Sequence, residues 1–99
     1  MSFMEQEKRI ELMFEKTRSG LAGNPYGKKI YDQQARGKVT VGMDVTFVFP
    51  NTIIRVASSF VQGFFHEWLE KVGEEGIKAH VNIECSNDEL KQSIYDNLI

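Results

Sequence analysis

Two adjacent serines, Ser58 and Ser59, are the residues best placed for chemistry, because they stand where a loop meets a strongly apolar segment. A serine at a helix start accepts a hydrogen bond from a free backbone N–H, so one of the pair is expected to cap the helix. The partial positive charge at that position also tolerates a phosphate. Structural capping and a regulated surface are both open interpretations.

Other groups of residues give only weak evidence for a metal site or a phosphate-binding loop. His66, His80 and Cys85 fall on different predicted elements, whereas structural zinc takes four ligands, usually in closely spaced pairs. The glycine-rich stretch 20–28 has three residues between Gly23 and Gly27, whereas a Walker motif has four before its Gly-Lys pair. We therefore predict no metal site, no catalytic residue and no cofactor, and we expect the chain not to be an enzyme.

The composition of the 99-residue chain, 41% hydrophobic and 26% charged, is typical of one globular domain. The acidic start of the chain does not resemble a signal peptide, its one cysteine excludes an internal disulfide, and no run approaches the roughly 20 apolar residues of a membrane span. We therefore expect a cytoplasmic protein without a membrane partner. Because the core is small, dimerisation or docking on another protein would add stability.

Charge is unevenly distributed along the chain. Residues 1–38 carry eight lysines and arginines against five acidic residues, and residues 39–99 carry four against nine. This asymmetry lacks the concentrated basic stripe of a nucleic-acid binder. The glutamates at 67, 70, 74 and 75 are expected to form a solvated helix face opposite the aromatic side chains Phe60, Phe64, Phe65 and Trp68, which are expected to be core.

The sequence of the first half of the chain predicts a helix, a break, a second helix and a strand. Residues 1–20 are predicted to be an N-terminal helix or extension, with a helix over 5–18 favoured over an extended 10–15. Asn24 as cap and Pro25 as first helical residue predict a helix over 25–35, which Gly37 would stop. Apolar residues at every odd position from Val39 to Phe49 predict a strand, with a bulge or turn at Gly42.

The second half alternates helix and strand. Apolar residues from 60 to 72 predict a long helix that ends near Gly73, and alternation from Ile77 to Ile83 predicts a strand. Ser86 and Glu89 form a capping box before a helix over 88–97, which is expected to bury its leucines and isoleucine at 90, 94 and 98. A strand, a helix and a strand between 45 and 83 imply a parallel crossover. The predicted fold is α/β, with a small mixed or parallel sheet and helices packed on it.

The strand at 45–49, a loop, and Val56-Ala57-Ser58-Ser59-Phe60 at the start of an apolar helix resemble the STAS superfamily. More narrowly, the pattern is similar to STAS-like domains of unknown function from bacteria and their mobile elements, with residues 21–99 as the STAS-like domain. Relatives in that superfamily are antagonists of anti-sigma factors, in which a partner kinase phosphorylates a serine at this helix start. Ser58 is the matching position.

The resemblance implies a non-catalytic protein-interaction module with a kinase-like or regulatory protein as its partner. Candidate docking residues are Ser58 and Ser59, with Asn51 and Arg55 in the preceding loop. The alternative is a small phage- or plasmid-encoded inhibitor or accessory protein that docks on a larger enzyme and uses its acidic half to mimic nucleic acid. Strong salt dependence of partner binding would favour that alternative.

Overall fold

The computed structural model describes residues 8–99, which form a mixed α/β domain of helices packed on a parallel sheet. The strands are β1 (Lys8–Glu11), β2 (Gly20–Leu21), β3 (Val45–Val48), β4 (Arg55–Val56) and β5 (Val81–Glu84). The helices are α1 (Asn24–Gln34), α2 (Ser58–Phe64), α3 (His66–Lys71), α4 (Gly73–His80) and α5 (Asp88–Asp96). The predicted α/β class is confirmed.

The main sheet has the order β1-β3-β5, with both neighbours parallel to the central strand, and β2 and β4 form a second parallel pair. Val45, Thr46 and Phe47 of β3 are all at most 3% exposed. A central strand of a parallel sheet is covered on both faces, which explains its nearly continuous apolar sequence. Because β3 and β5 are parallel and helices lie between them in the chain, the predicted parallel crossover between residues 45 and 83 is confirmed.

The N-terminal segment is a strand where the sequence favoured a helix. The helix predicted over 5–18 is wrong from Lys8 onward, and its part before Lys8 lies outside the described residues. Ile10 and Leu12 are both 3% exposed and lie two residues apart, whereas Met13 is 75% exposed. Burial with a period of two is what a strand requires, and β1 obtains it by pairing with β3.

The second helix and the first long strand also differ from the prediction. Gly23, and not Asn24, occupies the cap position of α1, with a φ of 101° that suits glycine. The strand predicted from Val39 is confined to β3, because residues 40–43 form a turn. Gly42 has a φ of 98°, so the alternative in which it marks a turn is the correct one.

The predicted long helix consists of three short helices. α2 ends at Phe64, α3 follows it, and Gly73, with a φ of 72°, separates α3 from α4. A stop near Gly73 is therefore confirmed, but α4 replaces the first half of the strand predicted from Ile77. Asn87, and not Ser86, caps α5, because its side-chain oxygen accepts a hydrogen bond from Leu90 N–H at 2.8 Å. The burial predicted for positions 90, 94 and 98 is confirmed.

The core is built around an aromatic cluster between the sheet and the helices. The four aromatic side chains predicted to be core are all at most 2% exposed: Phe60, Phe64, Phe65 and Trp68. Phe47 of β3 meets Phe64 and Phe65 edge to face, with ring centroids 5.1 and 5.8 Å apart. Such edge-to-face pairs add to the stabilisation from burial and fix the position of α2 over β3.

At the outer edges of the sheet, side chains form hydrogen bonds with backbone groups. The Tyr95 hydroxyl donates a hydrogen bond to the Val81 carbonyl of β5 at 2.7 Å. Just beyond β1, the Gln34 amide accepts from Met13 N–H at 2.8 Å and donates to the Met13 carbonyl at 2.9 Å. A helix thus covers part of each edge, because Tyr95 belongs to α5 and Gln34 to α1.

Candidate functional site

The predicted docking residues lie on the connection from β3 to α2, at the carboxyl ends of the parallel strands. Ligand sites of parallel α/β sheets usually form at this end. Asn51 is exposed on the loop, Arg55 is exposed at the first position of β4, and Ser58 is exposed at the first position of α2. The structure therefore places these three side chains on the surface of one short segment.

The loop is held firmly although its side chains are exposed. Ile53 is fully buried and Val56 is 4% exposed, so both anchor the segment to the core. The Ile54 N–H donates to the Ser19 carbonyl at 2.8 Å. Ile54 itself is 57% exposed, because neighbouring residues in extended backbone point to opposite sides. The frame therefore presents an apolar side chain to solvent.

The two serines have different environments, and neither caps α2. The cap position is Ala57, with no side-chain hydrogen bond, so the expectation of a serine cap is wrong. The Ser59 hydroxyl accepts a hydrogen bond from Gly23 N–H at 2.9 Å and is partly buried. Ser58 forms no side-chain hydrogen bond within residues 8–99. Of the pair, Ser58 is the accessible one.

A cleft adjoins the loop on the side of α5. Ile54 and Arg55 line it together with Asn87, Glu89 and Ser93, and its volume is about 250 Å³. Arg55 forms no ion pair with any described residue, and Glu89 supplies a carboxylate across the cleft. The cleft therefore combines an exposed apolar side chain, Ile54, with both signs of charge.

Ile54 is not among the docking residues that the sequence predicts. The sequence does contain a signal for its exposure, the adjacent pair Ile53-Ile54. In a short extended segment at the surface, only one of two neighbouring side chains can face the core. The cleft itself had no local signal, because Glu89 and Ser93 reach it only when α5 packs beside β4.

The side chains considered for metal or nucleophilic chemistry are not brought together. His66 lies on α3, His80 ends α4, and Cys85 follows β5. Among residues 8–99, no group of three metal-ligating side chains could hold an ion. Burial raises the pKa of the Cys85 thiol, which donates a hydrogen bond to the Asn87 carbonyl at 3.3 Å. The thiol is therefore protonated at neutral pH and is a poor nucleophile.

The glutamates predicted to form a solvated face are less free than their sequence suggests. Glu70 and Glu75 are exposed, whereas Glu67 and Glu74 are partly buried. Glu67 pairs with Arg36, and Glu74 pairs with Lys78 at 2.9 Å. Glu70 also lies 3.4 Å from the His66 Nε2. Since Glu67 and Glu74 each have a local cation, the acidity of this face is reduced.

Comparison with known proteins gives no assignment. No protein-family model matches the chain, and neither curated proteins nor solved structures give a significant match. Of the helices in residues 8–99, none has both the length and the apolar character needed to cross a bilayer. The functional interpretation therefore depends on the geometry of the chain itself.

Proposed function

We propose that this chain is a STAS-like protein-interaction module that docks on another protein through the loop Asn51–Arg55 and the start of α2. The observation that carries the proposal is Ile54, an apolar side chain that is 57% exposed on a segment anchored by the buried side chains of Ile53 and Val56. A rigid frame loses little conformational entropy on binding, so such a side chain is a favourable anchor. Arg55 beside it adds a residue type enriched in binding hot spots.

Ser58 is the proposed point of regulation. Ser58 is exposed, and it is the first residue of a helix whose first turn contains no acidic residue. A phosphate at this position would be tolerated by the helix start. The added charge would lie three residues after Arg55 and would compete with an acidic group of the partner for that guanidinium. Phosphorylation would then weaken docking without unfolding the domain.

Affinity capture from source cells with a set of point variants tests this proposal. The wild type and Lys71→Gln, an exposed charge on α3, should retain the same partner. Ile54→Ser and Ser58→Asp should lose it, while thermal melting shows that both variants are folded. Equal capture by all four proteins would contradict the proposed surface.

A salt series on the captured complex separates this surface from an acidic mimic of nucleic acid. An apolar anchor at Ile54 predicts that the complex persists as ionic strength rises, because burial of apolar surface is not screened. Loss of the complex at moderate salt, together with full binding by Ile54→Ser, would indicate that the partner binds the acidic half of the chain instead.

A further inference from the structure

A second groove, of about 540 Å³, opens between the chain that follows β1 and α1. Met13, Phe14 and Tyr26 provide its apolar lining, and Arg18 and Lys29 provide positive charge. Its volume is within the range of roughly 300–1,000 Å³ that is typical of ligand sites. None of its lining residues belongs to the surface at 51–59.

The rim of this groove presents an apolar side chain from a fixed backbone. Met13 is 75% exposed, yet its N–H and carbonyl are both hydrogen-bonded to the Gln34 amide, at 2.8 and 2.9 Å. Its side chain therefore projects from an ordered position and not from a loose loop. Methionine adapts its shape to a partner surface, which suits it to recognition.

Arg18 is held in place with its charge incompletely compensated. Its guanidinium lies over the Tyr26 ring, 4.9 Å from the centroid. Its Nε is buried and has no hydrogen-bond acceptor among the described residues. The Glu15 carboxylate is 3.7 Å from Nη2, which is beyond hydrogen-bond distance. The Arg18 side chain is nevertheless 35% exposed, so a carboxylate from outside can approach the open side of its guanidinium.

We propose that this groove binds a short acidic segment of another protein. The segment would pack an apolar side chain on Met13, Phe14 and Tyr26, and it would place a carboxylate against Arg18. Charge complementarity selects this occupant, because Arg18 and Lys29 outnumber the single carboxylate, Glu15, in the lining. The inference goes beyond the proposed docking at Ser58 and does not depend on it.

The test is an NMR titration of the isotope-labelled chain with two synthetic peptides. One peptide carries a phenylalanine flanked by aspartates, and in the other lysines replace the aspartates. The acidic peptide should shift the backbone amides of residues 13–18 and of α1, and the basic peptide should not. Arg18→Gln should weaken binding about tenfold, because a charge-assisted hydrogen bond is lost.

Two further variants separate the role of the Arg18 guanidinium from a general effect of positive charge. Arg18→Lys keeps the charge but loses the planar stacking, so it should bind with intermediate affinity. Lys38→Gln removes an exposed charge outside the groove and should bind like the wild type. Equal binding of both peptides, or no shift with the acidic one, would overturn the proposal. Shifts confined to residues 51–59 would also overturn it, while supporting the other docking surface.

Discussion

The backbone N–H of Gly23 donates a hydrogen bond to the Ser59 hydroxyl at 2.9 Å, although 36 positions separate them in the chain. This bond joins the turn before α1 to the first turn of α2. Ser58, the neighbouring residue, is exposed and forms no such bond within the described part of the chain. The two serines therefore have separable roles, one in holding the fold and one on the surface.

Ser59→Ala should lower the free energy of unfolding by about 1 kcal/mol, because the partly buried Gly23 N–H loses its acceptor. Ser58→Ala should change it by less than about 0.5 kcal/mol, as is usual for a surface position. Urea unfolding of both variants measures the difference. A larger loss for Ser58→Ala than for Ser59→Ala would contradict this division of roles.

Gly63→Ala should destabilise the domain by about 2–3 kcal/mol, although alanine favours helices. A Cβ on Gly63 would run into the backbone of Asn24, and one on Gly27 would run into the backbone of Phe60 and Phe64. Neither contact can be relieved by a rotamer change, because both partners are backbone.

Gly37→Ala is the matched control, since a Cβ there meets no atom within 4 Å and the residue has no positive φ. That variant should be neutral, or more stable by about 0.5 kcal/mol, through a less flexible unfolded chain. Thermal melting compares the two, and equal melting temperatures would show that α1 and α2 can move apart at little cost.

Tyr31→Phe should cost about 2 kcal/mol. The Trp68 indole N–H donates to the Tyr31 hydroxyl at 2.9 Å, and the two side chains are 0% and 3% exposed. Removing the hydroxyl leaves a buried donor without a partner. Tyr26→Phe, at a half-buried ring, serves as the control and should cost much less. Unfolding followed by the fluorescence of Trp68, the single tryptophan, provides the measurement.

Stability should fall as pH rises above about 10. Burial raises the pKa of Tyr31 above its ordinary value of 10.0, although the hydrogen bond from Trp68 acts in the opposite direction. Burial raises the pKa of Tyr95 in the same way. The unfolded chain therefore loses these phenolic protons first, so the contribution is complete below pH 10 and disappears as pH rises through the folded values.

Denaturation at a series of alkaline pH values checks this dependence. Tyr31→Phe should show a shallower decline than the wild type, because one of the shifted groups is gone. A wild-type stability that stays constant across this range, or a steeper decline in the variant, would contradict the burial of the phenol.

Local patterns in the sequence predicted those elements that carry their own signal. Central strand β3 is apolar except for Thr46, and α5 shows apolar spacing that matches its buried side. By contrast, β1 has Ile10 as its one buried residue, and its identity as a strand depends on pairing with β3, which is distant in sequence. No local period could reveal that pairing.

The candidate site shows the same division. The exposure of Ser58 and Arg55 was predictable, because both are polar residues in the segment just before or at the start of an apolar helix. The burial of Ser59 was not, since its hydrogen-bond donor belongs to Gly23 in another part of the chain. Likewise, Asn87 replaced Ser86 as the cap of α5 because Ser86 directs its hydroxyl to the Ile53 carbonyl at 3.4 Å.

The Tyr95 hydroxyl on the Val81 carbonyl has a consequence for how copies of this chain meet one another. Unsatisfied carbonyls along an edge strand are templates on which a strand from a second molecule can add, and repeated addition leads to fibrils. Here a phenol occupies one of those acceptors, and the Gln34 amide occupies both groups of Met13 at the other side. Two ordinary side chains thereby occupy backbone groups on which an added strand would otherwise pair.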